Sequence, residues 1–153
     1  MRLEKYALTS NATKTQFEFI SKGPKGSILK CVIFSKMKIK GYKNLYNLEF
    51  GDKRDNSDEI DDLVISDNQD RDIVLVTVAN AILNFFEKHP KSQVFFQGST
   101  PSRTRLYQIA ISKYFDELSL IFNIQGFFKN SFVPFGKNTN YAGFLIHYKK
   151  IEL

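Results

Sequence analysis

Apolar and polar residues alternate from Gln16 to Ser21 (QFEFIS), and a period of two is the pattern of a half-buried strand. The KGPKG segment that follows has turn chemistry, and Ser27 to Met37 (SILKCVIFSKM) resumes the strand pattern, so the pair predicts a hairpin. Tyr46 to Phe50 (YNLEF) predicts a third strand and Glu59 to Ser66 (EIDDLVIS) a fourth, with the polar loop GDKRDNSD between them. Such a run of short strands predicts an antiparallel meander.

The period then changes. Ile73, Val74, Val76, Val78, Ala79, Ala81, Ile82, Phe85 and Phe86 form a broad apolar face, which predicts a core helix over 69–88. Asp67 or Asn68 suits its N-cap, Asp70 and Asp72 its positive end, and Lys88, His89 and Pro90 its finish. A short strand is expected over Val94–Gln97. Pro101 fits the first position of a second helix, over 101–120, with Ser99 or Thr100 as cap and Leu106, Ile109, Ala110, Tyr114, Phe115 and Leu118 facing the core. From Ile124 onward short strands return, ending in Tyr141–Tyr148 (YAGFLIHY). No repeat or linker divides the chain. The expected fold is a single α+β domain, residues 1–153: a curved, mostly antiparallel sheet of five to eight strands with two packed helices.

Composition changes this picture little. At 153 residues, with 42% hydrophobic and 14% aromatic residues, the chain has the makings of a compact core and not of a disordered segment. MRLEKYALTSNATK lacks the apolar run of a signal peptide, and no stretch approaches the roughly 20 apolar residues of a membrane span. Cytoplasmic localisation with no membrane partner is the expectation. The lone Cys31 lies in a strand pattern and reads as a buried core thiol.

Charge adds more. The net charge of +6 conceals a segregation: residues 52–72 hold nine acids and three bases, a local charge of −6 that leaves +12 elsewhere. Lys22, Lys25, Lys30, Lys36, Lys38, Lys40 and Lys43 form a loose cluster that reads as a polyanion surface, or as ordinary solubilising charge. The acidic segment is a candidate contact for a protein partner or a second copy of the chain. Asp61, Asp62 and Asp67 within it are weak candidates for divalent-metal ligands, because their spacing fits no calcium loop and strand neighbours point to opposite faces. No metal and no cofactor is predicted.

The densest chemistry lies in Val94–Tyr107, VFFQGSTPSRTRLY: a strand, a tight loop and a helix start with two arginines. The helix N-terminus presents unpaired N–H groups, and Gly98, Ser99, Thr100, Ser102, Arg103, Thr104 and Arg105 add close backbone approach, hydroxyls and planar guanidinium forks. That combination is a candidate anion cradle. The plainer reading is a capped helix whose arginines pair with internal acids. His89 reads as a helix C-cap, and His147 is a general-base candidate with no nucleophile assignable to it. Aromatics interleaved with bases (Phe127, Phe128, Lys129, Phe132, Phe135, Lys137, Tyr141 and Tyr148) read either as core packing or as a base-stacking platform.

YNLEFGD, IDDLVISDNQDR and GSTPSRTRLYQ together resemble successive blocks of an uncharacterised bacterial family of small single-domain proteins, a domain of unknown function with GSTPxRTRLYQ as its most specific block. That resemblance implies one domain and transfers no activity. A local similarity, over GSTP and Tyr107 only, is to the phosphate loop of sugar-phosphate isomerases and lactonases. It departs from theirs at Gln97, where they have Gly, and in the strand-rich first half. The expected function is a non-enzymatic module that binds single-stranded nucleic acid or another phosphate-rich ligand. An enzyme acting on a phosphorylated small molecule or nucleotide is one alternative, with Asp61, Asp62 or His147 as its acid–base groups, and a protein-interaction module or homodimer is another.

Overall fold

The computed structural model describes residues 3–53, 60–61 and 68–149, with the backbone alone described at 60–61. Among the described residues there are nine strands: β1 (Thr9–Ser10), β2 (Gln16–Gly23), β3 (Gly26–Ile39), β4 (Tyr42–Lys53), β5 (Ile60–Asp61), β6 (Gln93–Phe96), β7 (Phe122–Phe128), β8 (Ser131–Pro134) and β9 (Phe144–Tyr148). Helices α1 (Arg71–Lys88), α2 (Pro101–Lys113) and the four-residue α3 (Phe115–Leu118) complete the described elements. The hydrogen-bonded order is β1-β2-β3-β4-β6-β9-β7-β8, with β5 paired to β4 off that path. Antiparallel pairs dominate, and β4–β6 is parallel because α1 intervenes in the chain between these strands. The architecture is the α+β fold expected.

Several boundaries move. The expected first two strands extend to Gly23 and to Ile39, and the third begins at Tyr42 rather than Tyr46. A turn at Lys40–Gly41 accounts for the longer β3 and β4: Gly41 adopts φ +93°, which a side-chain-bearing residue rarely reaches. Of the expected fourth strand, Ile60–Asp61 pairs antiparallel with β4, Asp61 opposite Asp52. Residues 62–66 lie outside the described residues.

By contacts the chain forms two compact units, residues 1–35 with 48–88, and residues 36–47 with 89–153. In the first, Val74, Val76, Ala81, Ile82, Phe85 and Phe86 of α1 are buried, close to the predicted face. The Phe34 and Phe85 rings stack at 4.3 Å between centroids, with Phe17 edge-on to Phe34. Helix α1 starts at Arg71, its first bond running from Val74 N to Asp70 O. Asp67 lies outside the described residues, and Asn68 is not the expected cap. Its amide instead donates to Gly26 O (2.9 Å) and accepts from Lys25 N (2.8 Å), which pins the β2–β3 turn. Asp70, also buried, accepts from the hydroxyls of Tyr6 (2.6 Å) and Ser21 (2.5 Å).

In the second unit β6, β7 and β9 carry the core residues Val94, Phe96, Phe122, Ile124, Phe144 and Ile146. The rings of Phe135, Tyr141 and Phe144 lie 5.4–6.2 Å apart beside them. The expected helix over 101–120 is interrupted at Tyr114, whose φ −109°, ψ 17° leave helical geometry, so α2 ends at Lys113. Its buried face also differs from the expected one. Thr104, Gln108 and Ile111 are buried, whereas Ile109 is 53% exposed and Leu106 and Ala110 are half-buried.

Candidate functional site

The turn from β6 into α2 is built as its residue types suggest. Thr100 has extended backbone (φ −135°, ψ 159°) and is the N-cap, its hydroxyl accepting from Arg103 N at 3.3 Å, and Pro101 follows at the first helical position, where a missing N–H costs nothing. Thr104, buried one turn on, accepts from Gly98 N (3.0 Å) and donates to Thr100 O (3.2 Å). Its hydroxyl therefore holds the loop and is not turned to a ligand. Gly98 makes the close approach expected of it, but to the helix itself: a Cβ there would overlap Thr104 N and meet Arg103 Cβ at 2.5 Å.

The two arginines part ways. Arg103 Nη1 donates to Ser99 Oγ at 2.7 Å and braces the loop from outside. Arg105 Nη1 donates to Asn140 Oδ1 at 2.6 Å, across to the segment before β9. Beside Arg105 opens a cleft of about 530 Å³, within the ordinary size range of ligand pockets. The hydroxyl residues Ser99, Thr100 and Ser102, the amides of Gln97 and Asn140 and the Arg105 guanidinium line it, with no carboxylate, imidazole or thiol among its lining residues. Ser99, Thr100, Ser102 and Arg105 are exposed.

Gln108 holds the far wall. Buried in α2, it donates through Nε2 to Thr139 O and accepts from Tyr141 N at 3.2 Å, tying helix and loop together at both ends of one amide. Tyr141 is fixed in turn by Gly136 N, which donates to its hydroxyl at 2.7 Å, and by Gly126, where any Cβ would collide with its ring. Gln108 and Asn140 are among the site residues that sequence reasoning missed. Their partners lie more than 30 residues away, and a polar residue on a helix carries no local signal that its amide is buried.

The remaining candidates stand elsewhere. Lys36, Lys38, Lys40 and Lys43 are exposed in the unit that holds the cleft; Lys22 and Lys25 are exposed in the other. Lys30 does not belong to an exposed cluster: it is buried, paired with Asp52 at 2.5 Å and set over the Phe50 ring. Side chains of Asp61, Asp62 and Asp67 lie outside what is described, and among the described residues no group of three His, Cys, Asp or Glu is placed to hold a metal. Of the stacking candidates, Phe135 and Tyr141 are buried, Phe132 packs against Phe95 and Phe127, and Phe128 is 36% exposed beneath Lys129.

Cys31 is buried and its thiol is pushed up to about 11, first by desolvation and then by the nearby Glu18 charge, which leaves it unreactive. His147, on β9, meets Gln93 at 2.6 Å and is held below the ordinary imidazole value by burial. It does not line the cleft. His89 follows the last residue of α1, and its carbonyl accepts from Ser92 N. Among the described residues no helix is long and apolar enough to cross a membrane.

No curated protein and no solved structure matches the chain. A family model does, over residues 2–149, and on that coverage the protein belongs to the family of unknown function DUF6934.

Proposed function

We propose that this protein is a binding module for a phosphate-bearing ligand, held in the cleft at the start of α2. The observation that carries the reading is the lining itself: hydroxyls, amides and one guanidinium, with no carboxylate to repel an anion. Ser99, Thr100 and Ser102 supply neutral donors, and Arg105, already reaching across the cleft mouth to Asn140, supplies the charge. Arg103, Thr104 and Gly98 act one step back, by holding the loop. The lining holds no carboxylate, imidazole or thiol, and the Tyr141 phenol is engaged by Gly136 N and Pro134 O, which favours binding over catalysis. Single-stranded nucleic acid offers the same phosphates, and the exposed Lys36, Lys38, Lys40 and Lys43 support that version by raising the local positive potential.

Calorimetry with adenosine 5′-monophosphate and with inorganic phosphate tests the reading. Binding of the monophosphate by the wild type, with a loss of about tenfold in Arg105→Ala, is the expected result. Absence of binding at millimolar ligand and low salt overturns it.

A further inference from the structure

A second cleft, of about 390 Å³, adjoins the first on the other side of the Arg105–Asn140 bridge. It owes nothing to the helix N-terminus. Arg105, Gln108, Ile109 and Ser112 are spaced three, four and seven residues apart along α2, so they form one stripe of the helix surface, and Lys137, Asn138 and Asn140 face them from the segment after β8. Gln108 closes the floor through its bonds to Thr139 O and Tyr141 N, so the groove has fixed walls before any ligand enters.

The chemistry of this groove parallels that of its neighbour. It contains two cations, Arg105 and Lys137, with hydroxyl and amide side chains from Ser112, Asn138 and Asn140, and again no carboxylate. Ile109, 53% exposed, gives it one apolar wall. Ile109 lies off the buried face of α2, which is Thr104, Gln108 and Ile111. A guanidinium presents several donors in a fixed fork, and Asn140 occupies one nitrogen of it, so the Arg105 side chain has N–H groups left for either cleft.

We infer that the two clefts are halves of one site for a small organic bisphosphate, with one phosphate among the Ser99, Thr100 and Ser102 hydroxyls and the other between Arg105 and Lys137. The sugar or nucleoside that joins the phosphates crosses the Arg105–Asn140 bridge and lies against Ile109. This rests on the phosphate reading of the first cleft and names the ligand class that reading leaves open.

The test is calorimetry on the full chain with two matched pairs: adenosine 3′,5′-bisphosphate against adenosine 5′-monophosphate, and fructose 1,6-bisphosphate against fructose 6-phosphate. The expected result is tighter binding of the bisphosphate in at least one pair, by about tenfold, and the responding pair identifies nucleotide or sugar as the joining group. Lys137→Ala is expected to remove that advantage, bringing the affinity for the bisphosphate down to that for its monophosphate. Because Lys137 is exposed, its substitution leaves the fold intact, and an unshifted melting temperature checks this. Monophosphates that bind as well as their bisphosphates, or a Lys137→Ala change that weakens both alike, overturn the two-cleft site while the first cleft stands. Failure of all four ligands overturns the phosphate reading itself.

Discussion

Gly98 is the residue on which the geometry of the α2 entrance turns. A methyl group there has nowhere to go but into Arg103 Cβ and Thr104 N, both part of the helix's first turn. Gly98→Ala is expected to destabilise the protein by about 1–3 kcal/mol, read by denaturant unfolding, and to weaken phosphate binding through displacement of Ser99 and Thr100. His147 makes a separate prediction. With the Gln93 amide nitrogen as donor, His147 Nε2 accepts, which the imidazolium cannot do, and burial acts in the same direction. A folded-state value held below the unfolded one means stability that is present above the ordinary imidazole value of 6.5 and is lost as pH falls below it. Unfolding midpoints measured downward from pH 7.5 are expected to fall more steeply for the wild type than for His147→Asn.

Helix α2 shows how an element can be found by pattern and still be turned the wrong way. Pro101 and the Thr100 cap placed its start correctly, whereas its end came at Lys113 and not at 120. The burial of Thr104 and Gln108 was not legible, because the pattern assigns apolar residues to the core and these two are buried by bonds to partners outside the helix. Two substitutions separate the faces: Ile111→Ala is expected to cost about 2–4 kcal/mol, and Ile109→Gln to change stability by less than about 0.5 kcal/mol, both by chemical denaturation. Equal effects would return Ile109 to the core. Helix α1 was read almost whole, since Val74, Val76, Ile82, Phe85 and Phe86 are buried by packing alone. The β3–β4 hairpin was read short, because its turn depends on one glycine, Gly41, within an otherwise basic and polar run. As for the site, its hydroxyls and arginines stand together in the sequence. The opposite wall, Asn138 to Tyr141, does not, and only folding brings it to α2.

Across the whole molecule the charge segregation resolves into different uses. Within the acidic segment Asp52 pairs with Lys30 and Asp70 accepts from Tyr6 and Ser21, while the lysines from Lys36 to Lys43 remain exposed. Salt dependence separates a cleft ligand from a strand that also follows those lysines. For a single-stranded oligonucleotide the slope of log affinity against log salt is about −0.7 per phosphate contacted, so contacts confined to the two clefts give a slope no steeper than about −1.4, and a strand tracking the lysines gives a steeper one. Lys36→Glu with Lys38→Glu is expected to flatten only the second. The amide of Gln108 has a consequence in time as well as in structure. Walls stitched together before a ligand arrives leave little to rearrange on binding, so association is limited by encounter, and the protein's choice among phosphates is made by how long each one stays.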